Sequence, residues 1–114
     1  MDELTTLLPK LGDDNLDERK AARERFEDLC TNAARPGAEE ERAAAAKAVV
    51  GLLGKDLPLT TRVWLLRELW LIGGPEVVAA LVEHLGHADE ETRDAARRAL
   101  QKNPSAEAAA ALAA

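Results

Sequence analysis

The chain has 114 residues, enough for one domain with a modest core. Hydrophobic residues make up 46% of it and charged residues 32%, a balance that excludes a disordered chain. The formal net charge of −6 opposes non-specific attraction to nucleic acid and to anionic membranes. Alanine, leucine, glutamate and arginine are abundant and favour helix, so the composition predicts an all-α protein.

An apolar pattern with helical spacing occurs three times, and each copy ends one residue before a glycine. The copies are Leu4, Leu7, Leu8 and Leu11 before Gly12; Ala46, Val49, Val50 and Leu53 before Gly54; and Val78, Leu81, Val82 and Leu85 before Gly86. Positions i, i+3, i+4 and i+7 lie on one face of a helix, and the glycine indicates where that helix ends. The glycines lie 42 and then 32 residues apart, a spacing typical of repeated helical hairpins.

A second pattern follows each glycine by seven or eight residues. It consists of an arginine with apolar residues three and seven positions later: Arg19 with Ala22 and Phe26, Arg62 with Leu65 and Leu69, and Arg93 with Ala96 and Leu100. This spacing predicts a second helix in each repeat, with its apolar stripe facing the first helix.

The first predicted repeat spans residues 1–35, with helices over Glu3–Leu11 and Leu16–Asn32. Asp17 is a candidate N-cap of the second helix, because its carboxylate can accept a free backbone N–H. The single cysteine, Cys30, excludes an intramolecular disulfide and a cysteine-rich zinc site. No histidine near it in the sequence suggests a base, so we expect a buried structural thiol.

The second predicted repeat spans residues 36–73 and begins at the break Arg35-Pro36-Gly37. Its helices are predicted over Glu39–Leu53 and Thr60–Ile72. Thr60 or Thr61 is the candidate cap of the second of these helices.

The third predicted repeat spans residues 74–103, with helices over Pro75–Leu85 and Glu90–Lys102. Asp89 is the candidate cap of its second helix. Residues 104–114 are expected to close the stack or to begin a fourth repeat, with Ser105 as a helix cap. Because one helical hairpin cannot bury its apolar faces alone, we expect the repeats to stack into a single domain over 1–114.

The third repeat contains Asp89-Glu90-Glu91-Thr92-Arg93, an Asp-x-x-x-Arg element, followed by Ala95-Ala96 and Ala99-Leu100. With these residues it resembles a HEAT repeat of the short, bilin-lyase-like (PBS lyase HEAT-like) subtype. The second repeat departs from the pattern at Val63-Trp64-Leu65-Leu66, and the first departs in length. The resemblance implies a right-handed α-solenoid of about three hairpins plus the start of a fourth. It places the first helices on the convex side and the second helices on the concave side, and it implies a non-catalytic protein-binding scaffold.

The arginine column of Arg19, Arg62 and Arg93 has two interpretations. The resemblance implies a ladder with the turn aspartates Asp14, Asp56 and Asp89, which would support the turns. The alternative is an anion-binding ridge, since ten of the 15 basic residues lie on the predicted second helices. That alternative leads to nucleic-acid binding through phosphates, which the acidic residues on the same helices and the net charge disfavour.

The middle second helix is unusually apolar at Trp64, Leu66, Trp70 and Leu71, where the other copies carry mostly polar residues. Trp64 and Leu71 are seven residues apart and share a face opposite the core stripe. An exposed tryptophan is a frequent anchor for a protein partner, whereas Trp70 is expected to pack between repeats. The alternative is that the central helix packs these groups against its neighbours on both sides. The candidate partner-binding residues are Trp64, Arg67, Leu71, Arg23 and Arg97.

Other chemistries find less support in the sequence. Glu83, His84, His87 and Asp89 could be drawn as a metal site, but His87 follows the helix end at Gly86, so we expect both histidines at the surface. No set of nucleophile, base and oxyanion donors is evident, so we expect no enzyme and no cofactor; a bilin lyase or metal hydroxylase ranks last. No apolar run approaches a membrane span, so we expect no membrane insertion. The compartment is left open with the cytoplasm as default, as are the partner's identity and the oligomeric state.

Overall fold

Seven α-helices and two short 3-10 helices build the fold over residues 2–113, the part of the chain that the computed structural model describes. The α-helices are α1 (Asp2–Leu7), α2 (Leu16–Ala33), α3 (Glu39–Leu53), α4 (Leu59–Ile72), α5 (Val78–His84), α6 (Glu90–Lys102) and α7 (Ala106–Ala113). The 3-10 helices are Leu8–Lys10, which continues α1, and Pro75–Val77, which leads into α5. No β-strand occurs between residues 2 and 113, so the prediction of an all-α chain is confirmed.

The predicted helix bounds agree with the structure for α3 and α6 and differ by one residue for α2 and α4. The first helix was predicted as one α-helix through Leu11, and this is wrong. It ends at Leu7 and continues as a 3-10 helix because Pro9 lacks an N–H and its ring would clash with the carbonyl four residues before it. Pro75 likewise opens a 3-10 turn before α5 begins.

The cap of α2 is Asn15, and the prediction of Asp17 is wrong. The Asn15 side chain accepts the Glu18 N–H at 3.1 Å, while its own N–H donates to Asp13 Oδ1 at 2.8 Å. Asp17 lies inside the first turn, where its charge complements the helix dipole.

Of the remaining predicted caps, that of α4 is wrong and those of α6 and α7 are confirmed. Pro58 stands at the N-cap of α4 and no side chain caps that helix, so the predicted threonine caps are wrong. Asp89 caps α6 as predicted, because its Oδ2 accepts from the Thr92 N–H at 2.9 Å. Ser105 Oγ accepts the Ala108 N–H at 3.1 Å, which confirms the cap of α7.

The helices contact one another in two rows. In one row α4 lies between α2 and α6; in the other, α1 contacts α3, the 3-10 turn before α5 contacts α3, and α5 contacts α7. Each predicted hairpin is also formed, since α1 packs on α2, α3 on α4 and α5 on α6. The thinnest dimension of the molecule, 18 Å, fits two layers of helices about 8–10 Å apart. We call the row of α2, α4 and α6 the second-helix row.

One hydrophobic core runs between the two rows, from Leu4 to Ala108. The apolar stripes of the second helices are buried throughout, at Ala22, Phe26, Leu65, Leu69, Ala96 and Leu100. The stripes of the first helices are buried at both ends in the first two copies, whereas Leu85 at the end of the third is half-buried. The i+4 positions Leu8 and Val50 are also only half-buried, and Val82 is 44% exposed. The i+4 position therefore lies at the margin of the buried face. None of the helices in the described range is long and apolar enough to cross a membrane.

Arginines hold the turns within the hairpins, but not through aspartates as the resemblance implied. Arg62 donates to the carbonyls of Leu53 at 2.8 Å and Lys55 at 2.9 Å. Arg93 donates likewise to the carbonyls of His87 and Ala88. The last carbonyls of a helix lack partners inside it, and a guanidinium with five N–H donors can satisfy several at once. Over residues 2–113 neither arginine forms an ion pair with a turn aspartate.

In the first hairpin the same role passes from Arg19 to Arg23, one helical turn later. Arg23 Nε donates to the Leu11 carbonyl at 2.9 Å. Leu11 and Leu53 hold equivalent places in their stripes. The two hairpins therefore bind the same carbonyl, but with arginines at different positions of the second helix. The Arg19 side chain therefore forms no hydrogen bond to the turn between α1 and α2.

The breaks between hairpins are tied by polar side chains. Arg42 of α3 donates to Glu76 at 2.9 Å and to the Ile72 carbonyl at 3.0 Å. Asn103, at the end of α6, donates to the Gly74 carbonyl at 2.9 Å and is buried. These bonds fix one hairpin against the next where the backbone is irregular.

Candidate partner-binding face

Three adjoining grooves run along the outer side of the second-helix row. The central groove, of about 310 Å³, is lined by Arg19, Arg23, Val63, Trp64, Arg67 and Glu91. The second, of about 320 Å³, shares Arg19, Arg23 and Trp64 with it and adds Lys20, Glu24 and Glu27; we call it the α2 groove. The third, of about 440 Å³, shares Val63, Arg67 and Glu91 and adds Trp70, Glu90, Asp94, Ala95 and Arg98; we call it the acidic groove. Because neighbouring grooves share residues, the three form one continuous surface, the groove face.

Helical spacing builds this face as it builds the core. On α4 the lining residues Val63, Arg67 and Trp70 stand at i, i+4 and i+7, and Trp64 lies beside them. On α2 they are Arg19 and Arg23, four residues apart. Each second helix thus carries a buried stripe on one side and a groove-lining stripe on the other.

Trp64 belongs to both the core and the central groove. Its ring meets the buried Phe26 edge-on, with ring centroids 5.3 Å apart and planes at 74°. The Arg23 guanidinium lies over the Trp64 ring, 5.6 Å from its centroid. Edge-to-face aromatic pairs and cation–π contacts each stabilise by about 0.5–1.5 kcal/mol. Trp64 is therefore half-buried and packs on Phe26, and it also lines the central groove; its contact with a partner stays a prediction.

The arginines of the chain divide sharply by partner. Five of the ten are ion-paired: Arg25 with Glu3, Arg35 with Glu41, Arg42 with Glu76, and both Arg97 and Arg98 with Asp94. Arg62 and Arg93 hold turn carbonyls. The remaining three, Arg19, Arg23 and Arg67, form no ion pair with a carboxylate of residues 3–113, and all three line the central groove.

The electrostatics of the central groove reflect this grouping. Burial, and then the charge of Arg19, lower the pKa of the Arg23 guanidinium. The charges of Arg19 and Arg23 therefore repel each other. Arg67 lies over the Trp70 ring, 5.9 Å from its centroid.

The acidic groove has a small excess of negative charge, because three carboxylates (Glu90, Glu91 and Asp94) and two guanidiniums (Arg67 and Arg98) line it. Glu90 and Glu91 form no ion pair within residues 2–113, whereas Asp94 binds Arg97 and Arg98. The hydrogen bond from Arg97 holds the pKa of Asp94 below its usual range. The groove face is therefore polarised, positive around Trp64 and negative along the start of α6.

A buried carboxyl, Glu68, lies behind the groove face where α4 packs on α2. It is only 4% exposed, and its Oε2 has no hydrogen-bond partner. Its pKa is raised to about 8, mainly by burial. The charge of Glu27 and a hydrogen bond with Glu27 also raise the pKa, whereas the charge of Arg67 lowers it. From the sequence alone, Glu68 is only one of the acidic residues on the predicted second helices. The available signal was its position three residues after Leu65, inside the core stripe.

The neighbouring thiol is buried, as expected. Cys30 is 0% exposed, and burial, with lesser effects from Glu68 and Glu27, raises its pKa to about 12. Such a thiol stays protonated at neutral pH.

The structure brings together three of the five predicted partner-binding residues. Arg23, Trp64 and Arg67 meet in the central groove. Leu71 is 42% exposed but does not line the three grooves, and Arg97 is exposed on α6 and bound to Asp94. Trp70 lines the acidic groove, and its Nε1 is buried without a hydrogen-bond partner.

The surface position predicted for His84 is wrong. This histidine is buried, and both of its ring nitrogens have partners. Arg62 donates to Nε2 at 3.0 Å, and Nδ1 lies 2.7 Å from the Ala80 carbonyl. Both contacts are satisfied by a ring with its proton on Nδ1. His87 stacks on this ring and accepts the Asp89 N–H. Across the described part of the chain, no three His, Cys, Asp or Glu side chains are grouped to hold a metal ion.

Comparison of the chain with models of protein families, with curated proteins and with solved structures found no match. Membership of the HEAT repeat family therefore stays a prediction from the residues of the third repeat.

Proposed function

We propose that this chain is a non-catalytic protein-interaction module that binds a peptide or protein segment on the groove face. The observation that carries the proposal is the central groove, where a half-buried tryptophan and three arginines without carboxylate partners converge. Tryptophan and arginine are the residues most enriched among those that dominate binding energy at protein interfaces. Since α2, α4 and α6 are helices packed on one core, the groove face needs little ordering to bind.

The proposal includes the architecture that the resemblance implies. The hairpins would stack as a right-handed HEAT-like solenoid, with the groove face on its concave side. The ordered contacts within each row of helices support this arrangement. A longer array would extend the same face.

The test begins by selecting binding peptides from a random dodecapeptide display library with the whole chain as bait. Amide chemical-shift changes in the 15N-labelled chain then map the binding site. We expect the changes to cluster on the first half of α2, on α4 and on the first half of α6. Changes that cluster around the exposed Val82, on the opposite row, would contradict the proposal, as would failure to recover any binder.

Two variants of α4 sharpen this test. Trp64 is unsuitable as a first probe because it packs on Phe26, so its loss would disturb the core. Arg67 is exposed and lines two grooves, whereas Leu71 on the same helix lines none of the three. We expect Arg67→Ala to weaken peptide binding and Leu71→Ala to leave it within about twofold. The reverse order would place the site away from the grooves.

Nucleic-acid binding is the second candidate, favoured by the same three arginines together with Lys20. Single-stranded DNA should then bind with a steep dependence on salt concentration, because phosphate contacts release counterions. We expect no such binding, since a net charge of −6 and the acidic groove repel a polyanion.

A further inference from the structure

From the unpaired arginines we infer that the central groove selects a short acidic peptide, one that carries a carboxylate side chain beside an apolar side chain. This inference rests on the proposed function of the groove face and adds the chemistry of its partner. It starts from how the chain uses its other arginines. In a chain with 21 acidic and 15 basic residues, carboxylates are in excess. Yet the three arginines of the central groove form no ion pair among residues 3–113, although Glu91 lines the same groove.

The donors in the central groove are available to a ligand. Arg23 uses Nε on the Leu11 carbonyl, which leaves its two terminal nitrogens without a hydrogen-bond acceptor in the described structure. Arg19 and Arg67 bond no carbonyl or carboxylate there. A guanidinium binds a carboxylate through two parallel N–H···O bonds, which are among the stronger hydrogen bonds in proteins. A bound carboxylate would also relieve the repulsion between Arg19 and Arg23.

The apolar part of the specificity comes from Trp64 and Val63. Both line the central groove, and both are half-buried by their own packing, so an apolar side chain can cover what remains exposed. The carboxylate and the apolar side chain must be near neighbours in the peptide, since Arg23 lies directly over the Trp64 ring.

The neighbouring groove argues for a peptide rather than a nucleic acid. Glu90, Glu91 and Asp94 line the acidic groove, which adjoins the central groove through Arg67. A polyphosphate backbone would bring repeated negative charge over these carboxylates. A peptide can present an acidic residue to the central groove and a basic residue to the acidic groove, so its charges follow those of the groove face.

The experiment uses the tightest peptide from the dodecapeptide selection, labelled with fluorescein and followed by anisotropy. Each Asp or Glu of the peptide is changed in turn to Asn or Gln. We expect one such change to weaken binding to the unaltered chain about tenfold or more, the cost of a lost charge-assisted hydrogen bond. The same change should have little further effect on Arg67→Gln or Arg19→Gln, since the arginine partner is already gone.

Arg25→Gln is the matched control. It removes the same charge from α2, but Arg25 is paired with Glu3 and does not line the grooves. We expect it to bind the peptide within about twofold of the unaltered chain.

The outcomes separate this inference from the proposed function. Peptides that map to the groove face but tolerate every loss of a carboxylate would overturn the inference and leave the proposed function standing. Equal affinity of Arg25→Gln, Arg19→Gln and Arg67→Gln would overturn it too, as would tighter binding of a single-stranded DNA 20-mer than of the peptide. Failure to recover any peptide, or mapping to the opposite row, would overturn both.

Discussion

The buried carboxyl of Glu68 makes the stability of the fold depend on pH in an unusual direction. Most carboxylates in folded proteins gain partners and keep a low pKa, so their proteins lose stability in acid. Burial between α4 and α2 instead raises the pKa of Glu68 from 4.5 to about 8. Between these two pH values the folded chain keeps a proton that the unfolded chain releases. The free energy of unfolding must therefore fall as pH rises through this interval.

The size of the effect follows from the same two values. Each pKa unit corresponds to about 1.4 kcal/mol, so the interval from 4.5 to about 8 amounts to about 5 kcal/mol. The contribution of this group is fully present below pH 4.5 and is lost once the pH exceeds about 8. That loss is a large share of the 5–15 kcal/mol that typically holds a domain folded.

Glu68→Gln isolates this term, because glutamine has nearly the shape of the protonated acid and cannot ionise. Urea denaturation followed by circular dichroism at 222 nm, at one-unit steps from pH 5 to pH 9, gives the free energy of unfolding of both chains. We expect the free energy of unfolding of Glu68→Gln to rise relative to that of the unaltered chain by about 1.4 kcal/mol per pH unit up to about pH 8. Glu40→Gln removes one exposed carboxylate from α3 and serves as control. A difference between Glu68→Gln and the unaltered chain that is the same at pH 5 and pH 9 would refute the reasoning.

Four further predictions concern stability and are checked by the same denaturation experiment at fixed pH. Gly51→Ala should raise stability by about 0.5–1 kcal/mol, because Gly51 lies exposed within α3 with open space at its Cβ. Gly73→Ala should instead lower it by about 1–3 kcal/mol, because the new Cβ would lie 2.6 Å from the Leu69 carbonyl oxygen; a gain there would contradict the close approach. Phe26→Ala should cost about 3–5 kcal/mol, since the ring is fully buried, and an unchanged urea midpoint would show that it is not part of the core. Asn103→Ala should cost about 1–2 kcal/mol, because it leaves a buried carbonyl unpaired between two hairpins; no loss would mean that water satisfies it.

Most of the helices could be predicted from the sequence because their signals are local. The stripes at i, i+3, i+4 and i+7 identify the buried face, and breaks such as Asn103-Pro104-Ser105 separate the helices. The errors were local as well. Pro9 inside the first apolar stripe should have predicted the early end of α1, and Asn15 was an available cap immediately before α2.

The candidate site was only partly predictable, because it depends on which helices become neighbours. Trp64 and Arg67 could be singled out from their face of α4, but no pattern in the sequence says that Arg19 and Arg23 approach them while Leu71 stays apart. The same holds for Glu68. Its place in the stripe was visible, but its burial against Glu27 follows from the packing of α2 on α4.

Val63 and Arg67 line both the central and the acidic groove. A ligand in either groove would contact residues that also line the other. We therefore expect binding in the two grooves to be coupled. A ligand that enters both grooves would be selected by the spacing between its side chains, because the two grooves share Val63 and Arg67 on α4.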